Sequence, residues 1–154
     1  MIKKDLAEGL ISALSCLDKN IPDISDPTPN ISEVEEVLVM LEGIMFPDVY
    51  AHLSRGKINI ISELYTRIVI LLDLLKTEDT DKVTTGILTS LPGVKASLIL
   101  DAAAIYRGDP AARSVKEIIL SYPGFYAIMT YRISRLFYLA KIPYIPRGCN
   151  RRDS

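Results

Sequence analysis

Two aspartates, Asp101 and Asp109, are the residues of this 154-residue chain whose placement could do chemistry. Both lie in the run Leu98-Ile-Leu-Asp101-Ala-Ala-Ala-Ile-Tyr-Arg-Gly-Asp109-Pro110-Ala-Ala. Asp101 falls three residues after Leu98 and four before Ile105, inside an apolar helical stripe. A buried carboxylate without a partner is costly, so Asp101 needs one. It can cap a neighbouring helix, pair with an arginine such as Arg107 or Arg132, or face a substrate. Asp109 precedes a proline, which disfavours helical geometry at Asp109 and is itself favoured at a first helical position. That reads as a helix N-cap. The functional reading beside it is a carboxylate held at a chain corner and able to bind an ammonium group. A carboxylate has lone pairs enough for both.

Other chemistries find little support. His52 is the single histidine. It lies in a short amphipathic stretch with no Ser/Asp or Cys arrangement nearby, and reads as structural. There is no phosphate loop, no metal-spaced His/Cys cluster and no nucleophile elbow, so neither a metal site nor a bound cofactor is expected. With 18 basic and 19 acidic residues the formal net charge is -1, too balanced for a general nucleic-acid binder. Cys16 and Cys149 form no paired-thiol motif and read as reduced thiols of a cytoplasmic protein. No secretory signal opens the chain. The longest uncharged apolar stretch, residues 118–131, is too short to span a bilayer and contains Pro-Gly, so no membrane partner is expected.

The elements that must position the two aspartates all read as helical. Residues 1–19 carry Leu6, Leu10, Ala13, Leu14 and Leu17 at helical spacing. A proline-rich loop follows. Ser32 with Glu35 has a capping-box signature and opens a helix whose stripe is Val34, Val37, Leu38, Leu41, Ile44 and Met45. A short helix is expected over 48–55. Residues 58–76 give the clearest periodicity, with Ile70 hinting at a second covered face. A helix over 81–90 should stop before Pro92, and another should start there and reach Arg107. Ser114 with Glu117 opens a short helix, and Pro123 starts the last long one. Tyr122, Tyr126, Tyr131, Tyr138 and Tyr144 crowd this end, as core or as an interface stripe. No strand-like alternation occurs. The expectation is an all-α domain of about seven or eight helices over residues 1–147, with a short polar tail at 148–154.

Three motifs stand in register: Asp101-x-x-Ala104-x-x-x-Gly108-Asp109-Pro110-Ala111, Ser121-Tyr122-Pro123-Gly124-Phe125-Tyr126-Ala127, and Tyr131-Arg132-Ile133, with Ile142-Pro143 after them. In this order and spacing the last third of the chain resembles the N-terminal helical domain of serine O-acetyltransferase. The resemblance implies an enzyme that moves acetyl from acetyl-CoA, its co-substrate, to the hydroxyl of L-serine in cysteine biosynthesis. It implies a β-helix of hexapeptide repeats that carries the catalytic histidine and the acetyl-CoA cleft, and homo-oligomers joined through the helical domains. It assigns Asp109 to the serine amino group, at a site that cysteine can occupy as inhibitor, and leaves Asp101 as a second substrate-facing candidate.

Two departures from the pattern stand out. Arg135 replaces the histidine that many members carry after Arg-Ile-x. After Arg147 the chain runs Gly148-Cys-Asn-Arg-Arg-Asp-Ser154, with no hexapeptide repeat and no β-helix. The expectation is a helical portion cut before its catalytic domain, without catalytic residues and inactive alone. The alternative is a stand-alone helical association module. A weaker third option is an anionic surface met by the C-terminal arginines.

Overall fold

The computed structural model describes residues 4–18, 29–49, 57–143 and 145. Among them it is all-α: α1 (Lys4–Asp18), α2 (Ile31–Met45), α3 (Lys57–Leu74), α4 (Thr80–Gly108), α5 (Val115–Ser121) and α6 (Pro123–Leu139). His52, Tyr144, Cys149 and most of the short helix expected over 48–55 lie outside the described residues. Cys16 is a free, exposed thiol.

Among the described residues six helices stand where the whole chain is expected to form seven or eight, and one reason is that α4 runs through Pro92 without stopping. A proline inside a helix costs about 3 kcal/mol, since it removes one backbone bond and crowds the preceding turn. Each large apolar side chain fully buried returns about 1.5–3 kcal/mol. Ile87 and Leu91 before the proline and Leu98 and Ala102 after it are all buried. Packing on both sides of Pro92 therefore outweighs the local penalty. The Thr89 and Ser90 hydroxyls also donate to carbonyls of the preceding turn, at Thr85 (2.8 Å) and Gly86 (2.8 Å).

α4 is the hub of the fold, packing against α2, α3, α5 and α6. The common core joins Leu38 and Leu41 of α2, Leu64, Ile68 and Leu72 of α3, Leu98 of α4, and Phe125, Met129, Ile133 and Phe137 of α6. Phe46, just past α2, meets Phe125 edge-on with ring centroids 6.0 Å apart. By length and composition alone α4 is also apolar enough to cross a bilayer, with 22% of its most apolar window buried. A search for uncharged runs misses it because Lys95 and Asp101 interrupt the sequence.

Several helix ends differ from expectation. α2 is capped by Asn30, not Ser32: its Oδ1 accepts from the Ser32 N–H at 3.2 Å, and Glu33 accepts from the Asn30 N–H at 3.1 Å. Asn and Ser cap equally well, and two Asn/Ser-x-x-Glu patterns overlap here. α3 and α6 both close through a lysine in the left-handed region, Lys76 (φ 53) and Lys141 (φ 59). In each, paired backbone bonds return to the last turn: Thr77 to Leu72 (3.0 Å) and Ile142 to Phe137 (3.0 Å). On α3, Ile70 is exposed, so its second apolar face is uncovered among the described residues.

α1 stands apart. It packs against none of the other described helices. Its apolar residues Leu6, Leu10, Ile11 and Leu14 are all half or more exposed.

Candidate functional site

α4 delivers both aspartates to its C-terminal end. They are eight residues apart, which is about 12 Å along a helix axis. Their surroundings differ in kind.

Asp101 faces α6. Its Oδ2 accepts from Nε of Arg132 at 2.7 Å and its Oδ1 from Nη2 at 3.1 Å. This is a bidentate guanidinium–carboxylate pair, with the Arg132 side chain 34% and the Asp101 side chain 24% exposed. Of the partners open to Asp101 in the sequence, Arg132 is the one it takes. The pair ties the middle of α6 to α4.

Asp109 ends α4. Its backbone N–H donates to the Ile105 carbonyl (3.0 Å), and its own carbonyl accepts from the Ala112 N–H (3.1 Å). The chain therefore turns over Pro110 and Ala111, with the proline where its fixed φ suits a tight turn. Asp109 thus closes one helix and does not open the next. α5 begins later, capped by Ser114, whose hydroxyl accepts from the Glu117 N–H at 3.1 Å. The Asp109 carboxylate is held by two donors. Oδ1 accepts from the Ala111 N–H at 2.8 Å, and Oδ2 accepts from the Tyr122 hydroxyl at 2.8 Å. These bonds, the backbone one first and the phenol second, lower the Asp109 pKa below the ordinary carboxylate value. The same carboxylate raises the Tyr122 pKa.

The donors decide what each carboxylate can still do. Arg132 supplies a positive charge to Asp101 and occupies both of its oxygens. Ala111 and Tyr122 are neutral donors: they fix the Asp109 carboxylate and leave its charge uncompensated. Asp109 has no ion pair among the described residues. Such an ionised, half-buried carboxylate can accept charge-assisted hydrogen bonds from an ammonium group.

Tyr122 stands in the second of the three sequence motifs and among the C-terminal tyrosines, immediately before a helix-starting proline, but nothing local marks it as a partner of Asp109. That Tyr122, thirteen positions on, folds back onto Asp109 is a property of the α4–α5–α6 corner.

A separate cleft of about 780 Å³ lies at the other end of the α4–α6 pair. Glu78, Lys82, Ile87, Leu136 and Lys141 are among its walls, and neither Asp101 nor Asp109 is. Its charged walls are two acids, Glu78 and Asp79, and two lysines, Lys82 and Lys141. No cluster of three or more potential metal ligands occurs among the described residues.

No family model matches the chain. A plasmid-encoded serine acetyltransferase of Synechococcus elongatus is 41% identical over 58 residues, which is 38% of this chain and 18% of that protein. A serine acetyltransferase of Bacillus pumilus is 40% identical over 47 residues, 30% of this chain and 22% of that one. Among solved structures, serine acetyltransferase 1 of Entamoeba histolytica, crystallised with L-cysteine, superposes with a TM-score of 0.61 and 32% identity. That match covers 75% of this chain and 45% of the other. The chain is similar, in sequence and in fold, to the N-terminal helical region of serine O-acetyltransferases. It spans about a fifth of the length of the curated relatives it matches.

Proposed function

We propose that this chain is the serine-facing helical part of a cytoplasmic serine O-acetyltransferase, and that Asp109 binds the substrate's ammonium group. The observation that carries this reading is the Asp109 carboxylate itself, held through both oxygens by neutral donors at 2.8 Å and left with its charge free. In the reaction, the serine hydroxyl oxygen attacks the acetyl-CoA carbonyl, the C–S bond breaks, and the serine proton passes through a general base to the departing sulfur. Asp109 takes no part in that proton transfer. It anchors the amine, so that binding energy at one end of the substrate orients the hydroxyl at the other. The same contact serves L-cysteine, which carries the identical ammonium group. Asp101 is the weaker substrate ligand, because a substrate amine would have to displace Arg132.

His52 is the single histidine of the 154 residues, and its sequence neighbourhood offers no Ser/Asp or Cys arrangement, so these residues are expected to release no CoA by themselves. Serine-dependent CoA release by the purified chain would overturn that expectation. Binding is tested directly by NMR. L-serine should move the Asp109 and Ala111 amide signals, and Asp109→Asn should abolish the response. Signals unmoved by L-serine would reject the assignment.

A second reading, an association module, is favoured by α1. Its Leu6, Leu10 and Leu14 recur every four residues, are exposed, and meet no other described helix. A second copy of the chain would cover that stripe by pairing α1 with α1. Sedimentation equilibrium should then show a dimer that Leu10→Asp with Leu14→Asp dissociates. A wild-type chain that is monomeric at every concentration would exclude it.

A further inference from the structure

We propose that Tyr122 is the positioning residue of the Asp109 site, fixing the carboxylate plane so that its remaining lone pairs and its full charge meet an amino group. The role rests on the reading of Asp109 as an ammonium ligand. Its basis is geometric. Asp109 caps the C-terminus of α4 and Tyr122 joins α5 to α6, so each Cα is fixed by backbone bonding. The Tyr122 N–H donates to the Ile118 carbonyl, and its own carbonyl accepts from the Tyr126 N–H, both at 3.1 Å. Its ring is partly buried against the core. A tyrosine so held places its hydroxyl with little freedom left to lose.

The chemistry of the donor matters as much as its place. A lysine or arginine at this position would hold Asp109 equally well and compete with the substrate for its charge, as Arg132 does at Asp101. A phenylalanine would keep the packing and release one carboxylate oxygen. The carboxylate could then swing about the single bond retained from Ala111. A phenol holds the group and keeps it anionic, because donation to the charged form lowers its pKa. Selectivity should follow. The amine of an amino acid is recognised, whereas a ligand lacking it gains nothing from Tyr122.

The test uses the full chain and its Tyr122→Phe variant. The carboxyl carbon of Asp109 is titrated by NMR, and L-serine and its des-amino counterpart 3-hydroxypropanoate are titrated separately. In the variant, Asp109 should titrate at higher pH, and L-serine should bind about tenfold more weakly, as expected for losing one hydrogen bond at a charged group. 3-Hydroxypropanoate should bind both proteins alike. An unchanged helical circular dichroism spectrum would show that folding is intact. Equal serine binding by the two proteins, or an Asp109 titration that does not move, would overturn the positioning role. Equal weakening of both ligands would also overturn it, by marking a general structural effect. A wild-type chain that binds no L-serine would reject the ammonium-site reading and this role with it. That failure is recognisable because it appears before any substitution is made.

Discussion

The α4–α6 seam and the α4–α5 corner each hold one aspartate of the same helix, and they use it in opposite ways. In the seam, Asp101 meets a guanidinium that takes both oxygens and cancels the charge. In the corner, Asp109 meets an amide and a phenol that take one lone pair from each oxygen and cancel nothing. A bidentate ion pair is a finished interaction. It sets the register of two helices and has little left to offer a ligand. A carboxylate fixed by neutral donors is unfinished, and its remaining electrostatic demand is best met by a cation from outside. The nature of the donor therefore separates a closed carboxylate from one still open to a cation more sharply than burial does.

The comparison can be broken first at the point both regions share. Phe125 is fully buried in the first turn of α6, three residues after Tyr122 and seven before Arg132. Phe125→Ala should cost about 3–5 kcal/mol in chemical denaturation, because it empties a ring-sized volume in the core. It should disturb both aspartates. Arg132→Ala should cost less, about 1–3 kcal/mol, since it strands a carboxylate that still has some access to solvent. Its effect should stay in the seam, with the Asp109 carboxyl signal unmoved. A large change at Asp109 would mean that the two regions are one unit. At the far end of α6, Lys141→Gly should stabilise the fold by roughly 1 kcal/mol, because glycine adopts a left-handed backbone without a Cβ penalty. A thermal melt should register the gain, with seam and corner unchanged.

How much of this was legible beforehand depended on range. The helical class, the stripes of α2 and α3, the Ser114 cap and the start of α6 at Pro123 are written in local spacing. They can be read because each depends on residues within a turn or two. Pro92 misled, because its penalty is local and the burial that overrides it comes from α3 and α6. The ends of α3 and α6 gave no glycine signal, as lysines occupy the left-handed positions there. Asp101 was legible as a residue needing a partner, and Arg132 was among those proposed. Choosing between Arg107 and Arg132 required the α4–α6 packing. Asp109 stands out in the sequence for its Asp-Pro pair, but it closes α4 and does not cap the helix that follows. Asp-Pro suits a tight turn as well as a helix start, and the turn won. Tyr122 was invisible as a partner, because the corner that brings it back is tertiary.

The corner's smallest effect on stability is its most specific signature, because its two members titrate at opposite ends of the pH scale. Asp109 has its pKa lowered from the ordinary 3.8. Its contribution is therefore complete above that value and is lost as pH falls through the lower folded one. Tyr122 has its pKa raised from the ordinary 10.0, by the Asp109 carboxylate first, then by burial, with Glu117 adding a little. Its contribution is complete below that value and is lost as pH rises through the higher folded one. The hydroxyl–carboxylate bond should thus persist across the whole neutral range and fail in strong acid and in strong base. Tyr122→Phe should remove the alkaline limb and move the acid limb upward. That limb should still begin below 3.8, because the Ala111 N–H, the larger cause, remains. Asp109→Asn should remove the acid limb and bring the Tyr122 phenol, followed by ultraviolet absorbance, back toward 10.0. Arg132→Ala should change neither limb. If it moved the tyrosine titration, the seam would be setting the electrostatics of the corner, and the separation between a closed carboxylate and an open one would fail.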